Sequence, residues 1–370
     1  MRVLHIFYEL KFSGAEIMYA NAASHFQEKG VDLMALSTAE NIGEFLPQFE
    51  AESIKVLHKP LSSNEFNPFV VIPYFRWIYK VLKNNNIDIL HIHRSKHIFL
   101  FSLTTYLAGK KAVSTVHNNY KHRKWTWIKG FLERYVSSKV FNLKMQSIGQ
   151  SVYENELNYY KNDTILVPNW YDDERFYPQN SAKEKEEMRI KLNISNSSFV
   201  IISTGGCSDV KNHHDIIRAL SIVNKEIDCI YLHLGKGVTS DEEIELSKSL
   251  GINSQILFLG NQSNVRDYLI ASDVYIMSSR FEGLAIAAIE AMACAKPSIL
   301  YNVNGLKDLI HDDDNGFLIS ENYNELAEKI LYLQKNDKTS DEMAQNALNF
   351  VRKNFSIQNG VNGIMKIYNS

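Results

Sequence analysis

The chain has 370 residues, 45% of them hydrophobic, with 40 Lys and Arg against 42 Asp and Glu for a net charge of −2. That length predicts two domains and that composition is ample for two cores. Near-neutrality argues against a nucleic-acid binder, and no apolar run approaches the roughly 18 residues of a membrane span.

Met1 to Phe7 enters a strand directly, with no signal-peptide hydrophobic region, which points to a cytoplasmic protein. Strands near 2–7, 31–36, 54–57, 88–93, 112–116 and 164–167 alternate with helices near 14–29, 68–84, 96–108, 125–137 and 148–160, the pattern of a parallel sheet with helices on both faces. In the fourth strand, Asp88-Ile89-Leu90-His91-Ile92-His93, the two histidines share a face. A strand histidine is more often a satisfied structural group than a catalyst.

Tyr120 to Phe131 interleaves Lys121, Arg123, Lys124 and Lys129 with Trp125 and Trp127. Such a run suits an anionic membrane surface, where each cation adds about 1 kcal/mol. The plain alternative makes Trp127, Phe131 and Tyr135 the buried side of an ordinary helix. Residues 1–170 hold 20 Lys and Arg against 14 Asp and Glu, and the remainder 20 against 28, so the basic excess belongs to the first half.

Tyr171 to Asn180 reads as a linker. A second strand-helix series runs from 199 to about 353, and Ser356 to Tyr368 reads as a terminal helix. The strand Phe199–Ser203 leads into Thr204-Gly205-Gly206-Cys207-Ser208-Asp209-Val210-Lys211-Asn212 and then a helix over 213–223. A strand, a Gly turn and a Lys at a helix start is anion-binding architecture, although a lone Lys is usually solvated. Further on, 273–277 reads as a strand, 278–283 as a loop and 284–295 as a helix stopped by Pro297. Glu282 then stands just before a helix N-terminus, whose open N–H groups beside Gly283 suit phosphate, and Glu290 two turns along suits a pair of sugar hydroxyls. Ordinary dipole stabilisation is the alternative for both acids. Cys207, Cys229 and Cys294 read as reduced, buried thiols, and with no Cys-x-x-Cys pair no metal site is expected. Asp312-Asp313-Asp314 contains an Asp-x-Asp pattern but reads as a solvated turn.

With these motifs the chain resembles the retaining nucleotide-sugar glycosyltransferases of family 4. The resemblance runs through Ser13-Gly14-Ala15-Glu16, the His91/His93 strand, Thr115-Val116-His117-Asn118, Val167-Pro168-Asn169-Trp170, Lys211, Leu234-Gly235-Lys236-Gly237, Glu282 with Glu290, and Asn304-Gly305 to Asn315-Gly316. It implies a GT-B fold of the α/β class: two Rossmann-like parallel-sheet domains facing a central cleft, 1–169 for acceptor and 170–353 for nucleotide-sugar, with a C-terminal helix, 354–370, crossing back to the first.

The resemblance also implies site residues. His117, Lys211 and Glu282 are the catalytic candidates. Gly14, Ala15, Gly206, Lys211, Glu282, Gly283, Leu284, Ala285 and Glu290 would bind the donor, and Glu16, His93 and Asn118 are candidates for the acceptor or sugar. No metal or cofactor is implied. The acceptor would be a glycan or a lipid-linked oligosaccharide of surface polysaccharide synthesis, reached from the cytoplasmic face of the membrane, and family frequency points to UDP. Three departures stand out: Gly206 where the family usually has an Arg, Ser13 in place of a Gly, and Trp170 in place of a Gly, where it either stacks on a ring or caps the hinge. A nucleotide-sugar epimerase of the same fold and a non-catalytic sugar-nucleotide-binding subunit are the competing readings.

Overall fold

The computed structural model describes residues 1–62, 67–118 and 124–370, the side chains of Lys124 and Trp125 excepted. The chain forms two compact units, Met1–Trp170 with Ile357–Ser370, and Tyr171–Ser356. Each is built on a parallel sheet whose central strands are buried along nearly their whole length, which is stable only with helices on both faces.

In the first unit the strands are β1 (Arg2–Phe7), β2 (Asp32–Ser37), β3 (Lys55–His58), β4 (Ile89–Ile92), β5 (Lys111–Val116), β6 (Lys144–Ser147) and β7 (Ile165–Leu166). They stand in the order β3-β2-β1-β4-β5-β6-β7, and β1 pairs in parallel with both β2 and β4. The order reverses at the β1/β4 pair, so the loops leaving these two carboxyl ends diverge and open a crevice. The helix expected over 14–29 is two helices, Gly14–Asn21 and Ala23–Glu28. The Met18 carbonyl at this break accepts both the Ala22 N–H at 3.1 Å and the Trp170 indole N–H at 3.2 Å, and a side chain entering the helical ladder is a recognised cause of such breaks.

The second unit carries β8 (Phe199–Thr204), β9 (Cys229–Leu234), β10 (Ile256–Gly260), β11 (Val274–Met277), β12 (Ser298–Tyr301) and β13 (Phe317–Ile319) in the order β10-β9-β8-β11-β12-β13. Its reversal falls at β8/β11. The start of that pair is locked by Asp273, whose Oδ2 accepts the Val200 N–H at 2.7 Å and an Arg189 N–H at 2.8 Å. Arg189, buried, also donates to the carbonyls of Ala271 and Ser198. It lies on the helix Ala182–Lys191, which the sequence reading left without an element because its run of Lys and Glu shows no apolar periodicity.

The helix after β11 spans Ile286–Ala293, shorter than the expected 284–295. Its end is set before Pro297 acts: Ala295 is left-handed at φ 54°, with Ala295 N–H to Met292 O at 3.0 Å and Lys296 N–H to Ala291 O at 3.1 Å, the paired bonds of a Schellman stop.

The terminal helix Ile357–Asn369 belongs to the first unit. It buries Ile357, Gly360, Val361, Ile364, Ile367 and Tyr368 along one stripe. A Cβ on Gly360 would stand 2.1 Å from Trp170 Cε3, and one on Gly363 2.6 Å from Val167 Cγ1. The unit boundary therefore follows Trp170, one residue later than the expected 169, because the indole is buried in the first unit. Phe355 and Ser356 stay with the second unit, pairing with Tyr171, so the tail joins at 357 rather than 354.

Candidate functional site

In the second unit the loops leaving β8 and β11 are stitched together. Gly205 bonds Leu234 O at 2.9 Å, and a Cβ on Gly235 would stand 1.8 Å from Gly205 O, so this turn demands glycine. The Arg280 N–H donates to Val210 O at 2.8 Å, and the Ser278 hydroxyl to the Asn212 carbonyl at 2.8 Å. These bonds fix the two loops in register and bring Lys211 Nζ to 2.6 Å from Glu282 Oε1. Below them, Gly305 at φ 84° lets its loop pass under Glu282, since a Cβ there would meet Glu282 O at 2.5 Å.

Beyond Glu282 the chain turns through Gly283, Leu284 and Ala285, all buried, into the helix. Their N–H groups meet no acceptor among the described residues, in the stretch that follows Glu282 and its Lys211 partner. The expected helix start at Leu284 moves to Ile286, so these three donors belong to the approach to the helix. Glu290, half-buried, has no hydrogen-bond or ion-pair partner among the described residues. Burial pushes its carboxyl up to about 8, against the attraction of Arg175.

Gly206 lies in the same turn without strain, and a Cβ there would meet only Lys236 O, at 3.6 Å. The backbone at 206 would therefore accept a Cβ, so backbone crowding does not account for the missing Arg. Lys236, on the adjoining turn, is exposed.

In the first unit Gly14 opens the helix Gly14–Asn21 with no side chain capping its N-terminus. The Ser13 hydroxyl donates instead to the Glu16 carboxylate, whose pKa burial raises. Ala15, between them, is half-buried.

Three histidines gather on β1, on β4 and just after β4. His5 Nδ1 is 2.8 Å from His93 Nε2, and the His91 and His93 rings lie 4.3 Å apart. His91 is structural: Nδ1 meets the Tyr368 hydroxyl at 2.7 Å and Nε2 meets Thr115 Oγ1 at 2.7 Å. Because Thr115 donates onward to Gln146 Oε1, the network assigns the proton of His91 to Nε2 and makes Tyr368 the donor to Nδ1.

His93 and His117 each keep one buried nitrogen without a hydrogen bond, Nδ1 and Nε2 respectively, and their rings lie 5.6 Å apart. Burial holds His117 down to about 4 and His93 well below its ordinary value. Both are therefore neutral imidazoles at pH 7. Asn118 follows His117, half-buried, in the turn after β5.

Trp170 does not face a ligand. Its indole is buried against Tyr19 at 5.2 Å, and it bonds Met18 O. Asp312 to Asp314 form an exposed turn in which Asp312 Oδ1 accepts the Leu318 N–H at 2.9 Å.

Of the basic and aromatic run, residues 119–123 lie outside the described residues. The helix Lys124–Lys139 holds the Trp127 indole inward, bonded to Tyr159 O at 3.0 Å. It presents Ile128, Leu132 and Tyr135 outward at helical spacing; Tyr135, expected on the buried side with Trp127 and Phe131, is exposed instead, and Ile128 and Leu132 were not singled out in the sequence. Ile128 and Leu132 edge an apolar groove of about 680 Å³ shared with Ile72, Phe75 and Phe99. No described helix is long and apolar enough to cross a membrane.

Two family models match the chain: "Glycosyltransferase Family 4" over residues 12–144 and "Glycosyl transferases group 1" over residues 184–350. Among curated proteins it is 27% identical to the UDP-Gal:alpha-D-GlcNAc-diphosphoundecaprenol alpha-1,3-galactosyltransferase of Escherichia coli, across 79% of this chain and 77% of that one. It is 25% identical to the N-acetyl-alpha-D-glucosaminyl L-malate synthase of Bacillus anthracis, across 82% and 81%. Among solved structures, a glycosyltransferase from Rickettsia africae superposes with a TM-score of 0.86 at 23% identity, covering 99% of this chain and 97% of that one. Anabaena HepE in complex with UDP-glucose does so at 0.82 and 18%, covering all of both chains.

Proposed function

The chain belongs to the group 1, family 4 glycosyltransferases, GT-B enzymes acting on nucleotide sugars, and on that premise we propose that it is a retaining, metal-independent transferase. It moves a sugar from a UDP-sugar to a lipid-linked glycan acceptor in surface polysaccharide assembly. The observation that carries this reading is the Lys211–Glu282 pair at the β8/β11 reversal, flanked by the unpaired N–H groups of Gly283 to Ala285. That is a preorganised positive site for a diphosphate leaving group. The names of the E. coli relative and of a Campylobacter jejuni relative, an N-acetylgalactosaminyltransferase acting on a diphospho-undecaprenol substrate, support the lipid-linked acceptor. The UDP-bound neighbour supports the nucleotide.

In this reaction the anomeric carbon loses its bond to the diphosphate oxygen as the acceptor oxygen bonds to the same face. The acceptor proton passes to the leaving phosphate, so no protein nucleophile is needed. Lys211 and the N–H groups take up the charge on the diphosphate. Glu282 receives the sugar hydroxyls and Glu290 the ribose hydroxyls. Gly206 leaves the second cationic position vacant, and backbone donors carry more of the diphosphate. In the first unit, the neutral His117 and His93, with Glu16 and Asn118, orient the acceptor and sugar hydroxyls, and Gly14 and Ala15 offer backbone amides.

Ligand-detected NMR with UDP- and GDP-sugars, without divalent cations, tests the donor site. We expect saturation transfer to one UDP-sugar, lost in Glu290→Ala and unchanged by added Mg2+ or Mn2+. Binding by none of them, or only with added metal, would overturn the reading. A protonic signature accompanies it. With its carboxyl raised to about 8, Glu290 is mostly protonated at pH 7 in the free protein, whereas ribose hydroxyls donate to the carboxylate. Nucleotide binding at pH 7 should therefore release close to one proton and tighten as pH rises towards 8. Calorimetry in buffers of different ionisation enthalpy reads this, and persistence of the release in Glu290→Gln would refute the assignment. The same shift makes the unliganded second unit lose stability as pH rises from the ordinary carboxylate range through about 8.

The apolar stripe of Ile128, Leu132 and Tyr135 beside Lys129 supports docking of the first unit on an anionic bilayer from the cytoplasmic side. Ile128→Glu/Leu132→Glu should abolish co-sedimentation with phosphatidylglycerol vesicles while leaving nucleotide binding intact. Unchanged sedimentation would remove the membrane from this account.

A further inference from the structure

Behind the phosphate-facing turn, on side chains the transfer reaction does not use, four buried ligand-type groups converge. Cys207 lies on the loop after β8, His213 opens the helix His213–Val223, His233 is on β9, and Glu243 is on the helix Ser240–Ser249. One ligand atom from each falls within 4.8 Å of all the others. Each residue is at most 3% exposed. His233 Nε2 stands 2.8 Å from Glu243 Oε2 and 3.9 Å from Cys207 Sγ. His213 Nδ1 lies 3.6 Å from Glu243 Oε1 and is buried without a hydrogen bond.

From this geometry we propose that Cys207, His213, His233 and Glu243 bind one zinc ion that ties the Gly205–Asn212 loop to β9 and the helix Ser240–Ser249. A tetrahedral ion with bonds of about 2.0–2.3 Å sets its ligand atoms roughly 3.3–3.8 Å apart, so small side-chain shifts complete the shell. The ligand set is soft enough to select zinc over magnesium or calcium. Charge favours it too: a thiolate and a carboxylate neutralise a divalent cation, whereas without one Glu243 is a fully buried charge. The Thr239 hydroxyl, donating to Glu243 Oε1 at 2.7 Å, is the outer partner that orients a ligating carboxylate. Four protein ligands leave no open position, so the ion is structural and distinct from any cation at the diphosphate. On binding, Cys207 gives up its thiol proton to solvent, as a thiolate ligand must.

The full-length protein, stripped by chelator and titrated with zinc, should retain one equivalent through gel filtration. Its cobalt form should show tetrahedral d–d bands and a thiolate-to-cobalt charge-transfer band. Cys207→Ser should lose the charge-transfer band, and it and Glu243→Gln should each weaken zinc binding at least about tenfold. The cobalt spectrum of the unsubstituted protein decides the matter if a variant fails to fold. No retained zinc, no thiolate band, or binding indifferent to both substitutions would overturn the site. None of these readouts uses a sugar nucleotide, so they stand apart from the donor assignment.

Discussion

Lys211→Met is expected to lower kcat/KM for the nucleotide-sugar by about 10²–10³. Two effects act together. In the proposed reaction the ammonium held 2.6 Å from Glu282 is the cation that this turn would offer to the departing diphosphate, and Gly206 supplies none. Removing it also leaves the Glu282 carboxylate, held in place by the loops of Arg280 and Gly305, without its counter-charge beside a dianionic leaving group. The second effect distinguishes this pair from a simple contact. Lys211→Met/Glu282→Gln should lose less than the two single losses combined, because the repulsion disappears with the carboxylate. Initial rates over a donor series for all four proteins check it. A loss below tenfold in Lys211→Met would mean that backbone donors alone carry the charge.

Trp170→Ala is expected to destabilise the first unit by about 3–5 kcal/mol. The indole is a large, fully buried side chain, and its removal opens a cavity between the helix Gly14–Asn21 and the terminal helix. It also deletes the bond to Met18 O. Gly360→Ala attacks the same contact from the other side: its Cβ would stand 2.1 Å from the ring, an overpacking that costs about 1–3 kcal/mol. Urea unfolding followed by far-UV circular dichroism measures both. If Trp170→Ala cost under about 1 kcal/mol, the indole would not be the anchor of the terminal helix.

The parts of the molecule legible in its sequence are those that local rules dictate. Apolar strand runs punctuated by Gly and Pro located the strands, and the loops carrying Lys211 and Glu282 could be placed because both follow such strands. What escaped depends on tertiary contact. The helix Ala182–Lys191 has no apolar face and forms because Arg189 finds Asp273. The helix expected over 14–29 breaks at Ala22, beside the Met18 carbonyl that an indole more than a hundred positions away also engages. His91 and His93 share a strand face, and the sequence could not tell which of them is structural; both nitrogens of His91 are committed to Tyr368 and Thr115. Cys207, His213, His233 and Glu243 form no sequence motif, because a loop, two helices and a strand bring them together. Trp170, in place of a family Gly, was open between ligand stacking and hinge capping. Its surroundings make it part of the first unit's core.

The seating of residues 357–370 on the first unit has a consequence for biosynthesis. Vectorial synthesis delivers residues 171–356 as one uninterrupted stretch, able to fold as soon as it emerges. The earlier-made unit must wait with its Trp170 face uncovered until the final helix leaves the ribosome. The half translated first is thus the half completed last, and a nonsense codon or proteolytic nick near position 357 would injure the N-terminal sheet while sparing the unit next to the lesion.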